Sequence, residues 1–304
     1  MINSVTVKNH RDEKLTVSLR DSSETGLVLY SITGISPGEA NVVITEISSG
    51  DGGVYTSARL PSRTIQLGFI IVGRDVEAIR RKLYRYFPLK KKVVLTFATD
   101  ARVCMIDGYV QANDVAYFSS QTVAAITVMC PSPVFYRGGD DPYDLVTFRS
   151  IASALEFPNT GWYINEGGIS FSAIDLTTTK QIKYNGDMDT GLIFRIRIAG
   201  NISGDIDLYN TTTNQRVTID SDKVASIMGG EGIMSGDVIE ICSERGSKSI
   251  KLYRGGVYYN ILGAAGKECD WLRIEAGYND LYYTCDAPEN LSVEVAYKTL
   301  YEGL

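Results

Sequence analysis

Apolar and polar residues alternate with a period of two along most of this chain, the pattern of strands with one face buried. In the first half the runs are "KLTVSLR" (14–20), "NVVITEIS" (41–48), "RTIQLGFIIV" (63–72), "KVVLTFA" (92–98), "ARVCMIDGYVQ" (101–111) and "QTVAAITVMC" (121–130). In the second half they are "LIFRIRIAG" (192–200), "GDIDLYN" (204–210), "QRVTID" (215–220), "GDVIEIC" (236–242), "KSIKLYRG" (248–255), "DWLRIEAG" (270–277), "LYYTCDA" (281–287) and "LSVEVAYK" (291–298). Turn formers separate these last runs, as in "YNGDMDTG", "NTTTNQ", "RGG" and "GYND". Many short strands punctuated in this way predict an antiparallel sandwich.

One stretch follows a different period. In "RDVEAIRRKLYRYFPLKKKVVLTF" (74–97), Val76, Ile79, Leu83 and Tyr86/Phe87 recur at helical spacing. Asp75 is placed to cap the N-terminus and Glu77 sits in the first turn, while Arg80, Arg81, Lys82 and Arg85 follow, as the helix dipole favours. Pro88 ends the helix. This is expected to be the chain's single real helix, its apolar stripe packed on a sheet and no ordinary helix following residue 140.

The strand pattern stops at "CPSPVFYRGGDDPYD" (130–144), where prolines at 131, 133 and 142 preclude a central ladder. This places a domain boundary near 138–141, giving domains 1–138 and 139–304. Charge divides at the same place. Residues 1–138 carry 16 Lys/Arg against 12 Asp/Glu, and residues 139–304 carry 14 against 24, within a net charge of −6. Two surfaces of opposite character imply two sets of neighbours.

Length and composition narrow the chemistry. With 304 residues and 44% hydrophobic content, the chain can bury two cores. The N-terminus lacks a signal-peptide pattern, and the longest apolar run, "GFIIVG", is too short to span a bilayer, so a soluble protein made in the cytosol is expected. The five cysteines (104, 130, 242, 269, 285) include no C-x-x-C pair, against both a disulfide framework and a zinc site; they read as small buried hydrophobes. The lone histidine, His10, lies in a polar segment and reads as a loop residue, which removes histidine-based triads and multi-histidine metal sites.

Other motifs weaken on inspection. "SSGDGGVYTS" (48–57) is glycine-rich, but a strand-like segment follows where a phosphate cradle needs a helix, so it reads as a long flexible hairpin tip. Asp187/Asp189 and Asp205/Asp207 match no EF-hand loop and read as a turn and an outward strand face. Trp162 and Tyr163 could stack on a sugar, although sandwich core or rim is the commoner role of such a pair. Two carboxylates suffice for a glycosidase, but no spacing singles out a pair. The basic residues Arg80, Arg81 and Arg85 fit a solvated or inter-subunit face better than a nucleic-acid grip, because the chain is acidic and no aromatic reading surface accompanies them.

Taken in order, "RLPSRTIQLGFIIVG", "DVEAIRRKLYRYFPLKKKVVLTF", "IDGYVQ" and "ITVMCPSPVFY" resemble the N-terminal belt domain of siphophage distal tail (Dit) proteins. "IKYNGDMDTGLIFRIRIAG", "IDLYNTTTNQRVTID", "SGDVIEICSERGSKSIKLYRGG" and "AGYNDLYYTCDAPENLSVEVAYKTLYEGL" are similar to the C-terminal domain of the same family. The segment "NTGWYINEGGISFSAIDLTTTK" (159–180) departs from the pattern.

The resemblance implies a mainly β chain. Residues 1–138 would form a β-barrel-like belt domain with one α-helix, and residues 139–304 a galectin-like antiparallel β-sandwich. It implies a homohexameric ring at the distal end of the tail, assembled in the host cytoplasm and carried in the virion. Expected partners are the tail tube protein, the tape-measure protein and the tail-tip hub or tail-associated lysin, with a receptor-binding protein or host glycan as a further candidate. DNA would pass through a central channel without specific binding, and neither a cofactor nor membrane insertion is expected. Three function classes follow: a structural ring and hub adaptor, a glycan- or receptor-docking module, and a hydrolase. The first is favoured, with no catalytic residues assigned. Arg80, Arg81 and Arg85 are its candidate contact residues, and Trp162 and Tyr163 are the candidates for glycan.

Overall fold

The computed structural model describes residues 1–19, 22–48, 50–72, 75–116, 122–148, 150–153, 172–175 and 178–304. The chain divides into two compact units, Met1–Pro142 together with Leu300–Leu304, and Tyr143–Thr299. The sequence reading placed one boundary at 138/139. The first unit is instead discontinuous, because the chain returns to it after the second unit is complete.

The first unit contains β1 (Ile2–Lys8), β2 (Lys14–Ser18), β3 (Leu27–Thr33), β4 (Asn41–Glu46), β5 (Gly53–Arg59), β6 (Arg63–Ile71), α1 (Val76–Tyr86), β7 (Lys92–Thr99), β8 (Val103–Val115), β9 (Val123–Cys130) and β10 (Phe135–Arg137). Its main sheet runs β2-β1-β7-β8-β9-β6-β3, every neighbour antiparallel. The inward face alternates as a half-buried sheet must, with Val93, Leu95 and Phe97 from β7 and Ile65, Leu67 and Phe69 from β6 all buried. The strands Ile2–Lys8 and Leu27–Thr33 were missed by the sequence reading, since each alternates for only a few residues before a polar break.

The expected barrel-like closure is not found. Among the described residues no ladder joins β2 to β3, and the sheet is open. A shallow apolar groove of about 260 Å³, lined by Ile2, Leu19, Leu29 and Ile32 among others, lies between these ends. The β3–β6 ladder also slips register between Leu29 and Ser31. Such an irregularity bends an edge strand and locally disrupts its ladder, which resumes at Ser31.

Helix α1 forms as its caps and period predict. The Asp75 carboxylate accepts from Ala78 N at 2.9 Å. Leu83 and Phe87 are buried, Val76, Ile79 and Tyr86 pack on the same core, and Phe87 lies 6.2 Å from the Phe69 ring. Asparagines close the C-terminal turn. Asn113 Nδ2 donates to the Leu83 and Phe87 carbonyls (3.3 and 3.2 Å), and Asn9 Nδ2 to the Arg85 carbonyl (3.2 Å). The Arg85 and Phe87 carbonyls are among those at the helix end that need a partner from outside it, while the Leu83 carbonyl also accepts from Phe87 N (2.8 Å).

The second unit contains β11 (Tyr143–Thr147), β12 (Ser150–Ser153), β13 (Ser172–Asp175), β14 (Thr179–Tyr184), β15 (Thr190–Ile198), β16 (Ile206–Asn210), β17 (Gln215–Ile219), α2 (Ser221–Ile227), β18 (Val238–Cys242), β19 (Ser249–Arg254), β20 (Val257–Asn260), β21 (Arg273–Ile274), β22 (Gly277–Thr284) and β23 (Leu291–Lys298). One sheet runs β11-β23-β15-β18-β19-β20 and another β14-β22-β16-β17. Side chains from both sheets share one core, including Tyr184 against Tyr297 (5.9 Å) and Phe148 against Tyr283 (5.7 Å). This is the antiparallel sandwich that the turn spacing predicts. Helix α2 corrects the expectation of a single helix. Its N-cap, Asp220, accepts from Lys223 N at 3.0 Å, so the residue read as the end of a strand starts two helical turns. The run at 270–277 contributes the two-residue β21 and, at Gly277, the first residue of β22.

A last strand, β24 (Leu300–Tyr301), pairs with β10 in the first unit.

Candidate assembly surface

Strands β4 and β5 form a two-stranded hairpin that pairs with no other strand among the described residues. Every residue of both strands is exposed. Yet the hairpin carries Val42, Val43, Ile44, Val54 and Tyr55, with Ile44 60% and Tyr55 63% exposed. Thr45 and Thr56 hydroxyls meet across it at 3.0 Å. An isolated hairpin is at best marginally stable in water, and contiguous exposed apolar residues mark an interaction surface. The sequence pattern showed a strand and a flexible tip here, but alternation could not reveal that neither face is covered.

The basic helix residues are engaged within the chain. Arg80 Nη1 and Arg81 Nε reach Glu77 at 2.7 and 3.3 Å. Arg85 holds both oxygens of Glu13, with Nε to Oε2 at 2.9 Å and Nη2 to Oε1. The Arg85 hydrogen bond, then that from Asn9, brings the Glu13 carboxyl down to about 2. The cluster is therefore partly neutralised locally, and Arg81, the most exposed of the three, presents the freest charge. Trp162 and Tyr163 lie outside the described residues.

The carboxylates singled out in sequence are spoken for structurally. Asp189 pairs with Arg273 (3.0 Å) and Asp207 with Arg216 (2.9 Å), while Asp205 accepts from Ser221 N (3.0 Å). Among the described residues no cluster of three His, Cys, Asp or Glu could hold a metal. Cys104, Cys130 and Cys242 are buried, and Cys269 and Cys285 are half-buried. Burial pushes the Cys130 thiol up to about 12, away from a nucleophilic thiolate. His10 is exposed in the β1–β2 turn.

No family model matches this sequence, and no curated protein does. Solved structures do. The SPP1 Dit (gp 19.1) protein, described as a paradigm of the hub adsorption apparatus in phages infecting Gram-positive bacteria, superposes with a TM-score of 0.62 over 96% of this chain and 98% of that one, at 14% identity. The chain has the fold of a phage Dit protein. A chain of the phage P2 baseplate in its activated conformation matches at a TM-score of 0.50 and 12% identity, covering 98% of each chain. The Dit fold thus accounts for both compact units, and the uncovered hairpin belongs to the first.

Two features escaped sequence reasoning. Arg63 and the segment 300–304 meet across the length of the chain, and no local pattern signals that. The edge strand β20 exposes Val257, Tyr258 and Tyr259, with Tyr258 at 64%, although "GGVYYN" sits in plain view after a turn. Its exposure depends on being last in its sheet.

Proposed function

We propose that this chain is a distal tail protein: a structural ring component joining the tail tube of a siphophage to its tail-tip hub. One observation supports the reading above the others. The likeness to the SPP1 protein runs through both compact units, over nearly the whole of each chain. In this reading the first unit forms a homohexameric ring around a channel that lets DNA pass. The second unit, a galectin-like sandwich, projects outward, and the partners are the tube protein, the tape-measure protein and the hub or tail-associated lysin. Assembly takes place in the host cytoplasm, and the finished protein is carried in the virion. The role is architectural, not enzymatic.

A closed ring needs a heterologous interface, in which one surface of each copy meets a different surface of the next. The exposed hairpin of β4 and β5 supplies one such surface, and the face of α1 around Arg81 is a candidate for another. Mass in solution tests this. Six copies of the 33.4 kDa chain give a particle of roughly 200 kDa by light scattering or native mass spectrometry. A closed assembly of another order, or a strict monomer at all concentrations, would sink the ring.

A second reading, docking of a glycan or receptor-binding protein by the sandwich, is favoured by the exposed tyrosines on β20. Replacing Tyr258 by Ala would abolish such binding, and unchanged binding of the variant to host cell walls would count against it.

A further inference from the structure

Arg63 is a cation where an apolar side chain would cost less. It is 7% exposed, and burial pulls its pKa down. No carboxylate pairs with it among the described hydrogen bonds; its bonded partners are three backbone carbonyls. Nη1 donates to Gly34 O (3.0 Å) and Ser36 O (2.8 Å), and Nη2 donates to Glu302 O (2.6 Å). The guanidinium lies over the Phe135 ring at 4.7 Å, while Nε is buried with no hydrogen-bond partner. Desolvating a guanidinium and leaving a donor unsatisfied is destabilising unless its geometry does something that packing alone cannot.

The positions of the partners indicate what that is. Gly34 and Ser36 precede β4, the incoming strand of the hairpin, and Arg63 itself opens β6, directly after the outgoing strand β5. One side chain therefore closes both roots of the hairpin. Its third bond reaches a segment 239 residues away in sequence. That segment is seated on the same root: Leu304 N donates to Ile35 O (3.1 Å), and a Cβ at Gly303 would stand 2.8 Å from Pro37 Cδ. Arg102 holds the neighbouring Gly303 carbonyl at 2.9 Å and stacks on Tyr301 at 4.3 Å. Gly34 has φ +80°, and a Cβ there would overlap Thr64 O at 2.0 Å, so the root conformation admits no side chain.

We infer that Arg63 and residues 302–304 form a clamp that aims the hairpin, so that the self-association surface is set only when the chain has returned from the second unit. The clamp deepens the ring reading, which supplies the role of the hairpin, but its geometry is testable without a ring. Arg63 is a positioning residue; the hairpin makes the contact.

The test compares full-length wild type, Arg63→Met and Gly303→Val by hydrogen exchange, with association measured by light scattering. Met keeps the length of the side chain and removes every donor. Val at 303 displaces the segment from Pro37 without touching Arg63, and it keeps the inference testable if Arg63→Met fails to fold. Both variants are expected to speed exchange about tenfold or more in residues 34–40 and 301–304 together, with exchange in β7 unchanged. Arg63→Met should also associate about tenfold more weakly. A folded Gly303→Val chain whose exchange rises at 301–304 alone would overturn the clamp. So would wild-type association by a variant with a loosened root. If wild type never associates, the ring reading fails by itself, and the coupled exchange still decides the clamp.

Discussion

The guanidinium of Arg254 grips the carboxylate of Asp237 with two bonds, Nε to Oδ1 at 2.7 Å and Nη2 to Oδ2 at 2.6 Å. Asp237 is 2% exposed, and its Oδ2 also accepts from Met234 N at 2.9 Å. The pair fixes the turn before β18 against the end of β19. Replacing Arg254 by Met leaves a buried carboxylate without its countercharge, which is expected to cost about 3–5 kcal/mol. Denaturant unfolding of the variant measures this, and a loss below 1 kcal/mol would show that Asp237 rehydrates at little cost.

The helix separates core from surface. Leu83→Ala is expected to destabilise the first unit by about 2–5 kcal/mol, because the side chain is fully buried against the sheet. Arg81→Ala removes an exposed side chain and should change stability by less than ~0.5 kcal/mol. Equal small effects on thermal unfolding would contradict the packing described above.

Acid should loosen the join between the helix and the β1–β2 turn. The Glu13 carboxyl titrates at about 2, against 4.5 ordinarily, chiefly through the Arg85 hydrogen bond. Because the folded value is depressed, the contribution is complete above the unfolded value near 4.5 and is lost as pH falls through about 2. NMR titration of Glu13 should give a midpoint well below 4. In Glu13→Gln this component of acid sensitivity should disappear, and an identical acid profile would refute the assignment.

Association should depend on apolar residues of the hairpin. Ile44→Ser with Tyr55→Ser is expected to weaken self-association at least tenfold while shifting monomer stability by less than ~0.5 kcal/mol, since both side chains already face water. Sedimentation at several concentrations distinguishes this from a ring that ignores the hairpin.

Limited proteolysis should cut first around Asp140–Asp141 or at the hairpin tip near Asp51, where exposed turn formers lack apolar anchors. After the first of these cuts the two fragments should still co-elute under native conditions, because β24 remains paired with β10. Early cuts inside β15 or β23 would contradict the division into two units.

Much of this architecture is local in origin, and that part was legible. Period-two alternation marked β6, β7, β8, β9, β15, β18 and β23, because an alternating strand can bury only one face. Asp75, the stripe through Leu83 and Pro88 bounded α1, because caps and helical spacing act within a few residues. Other features depend on which segments meet after folding. The open ends at β2 and β3, the exposure of the cross-strand partners Ile44 and Tyr55, and the pairing of Arg85 with Glu13 are of this kind, whereas Arg80 and Arg81 pair with Glu77 within one helical turn. A valine in an alternating strand reads the same whether its face meets a core or water. In sequence, Arg63 is only the basic residue that opens the alternating run at 63–72. Only the return of Glu302, 239 positions further along the chain, makes it a buried clamp, because carbonyls from distant segments can converge on one guanidinium only in the folded chain.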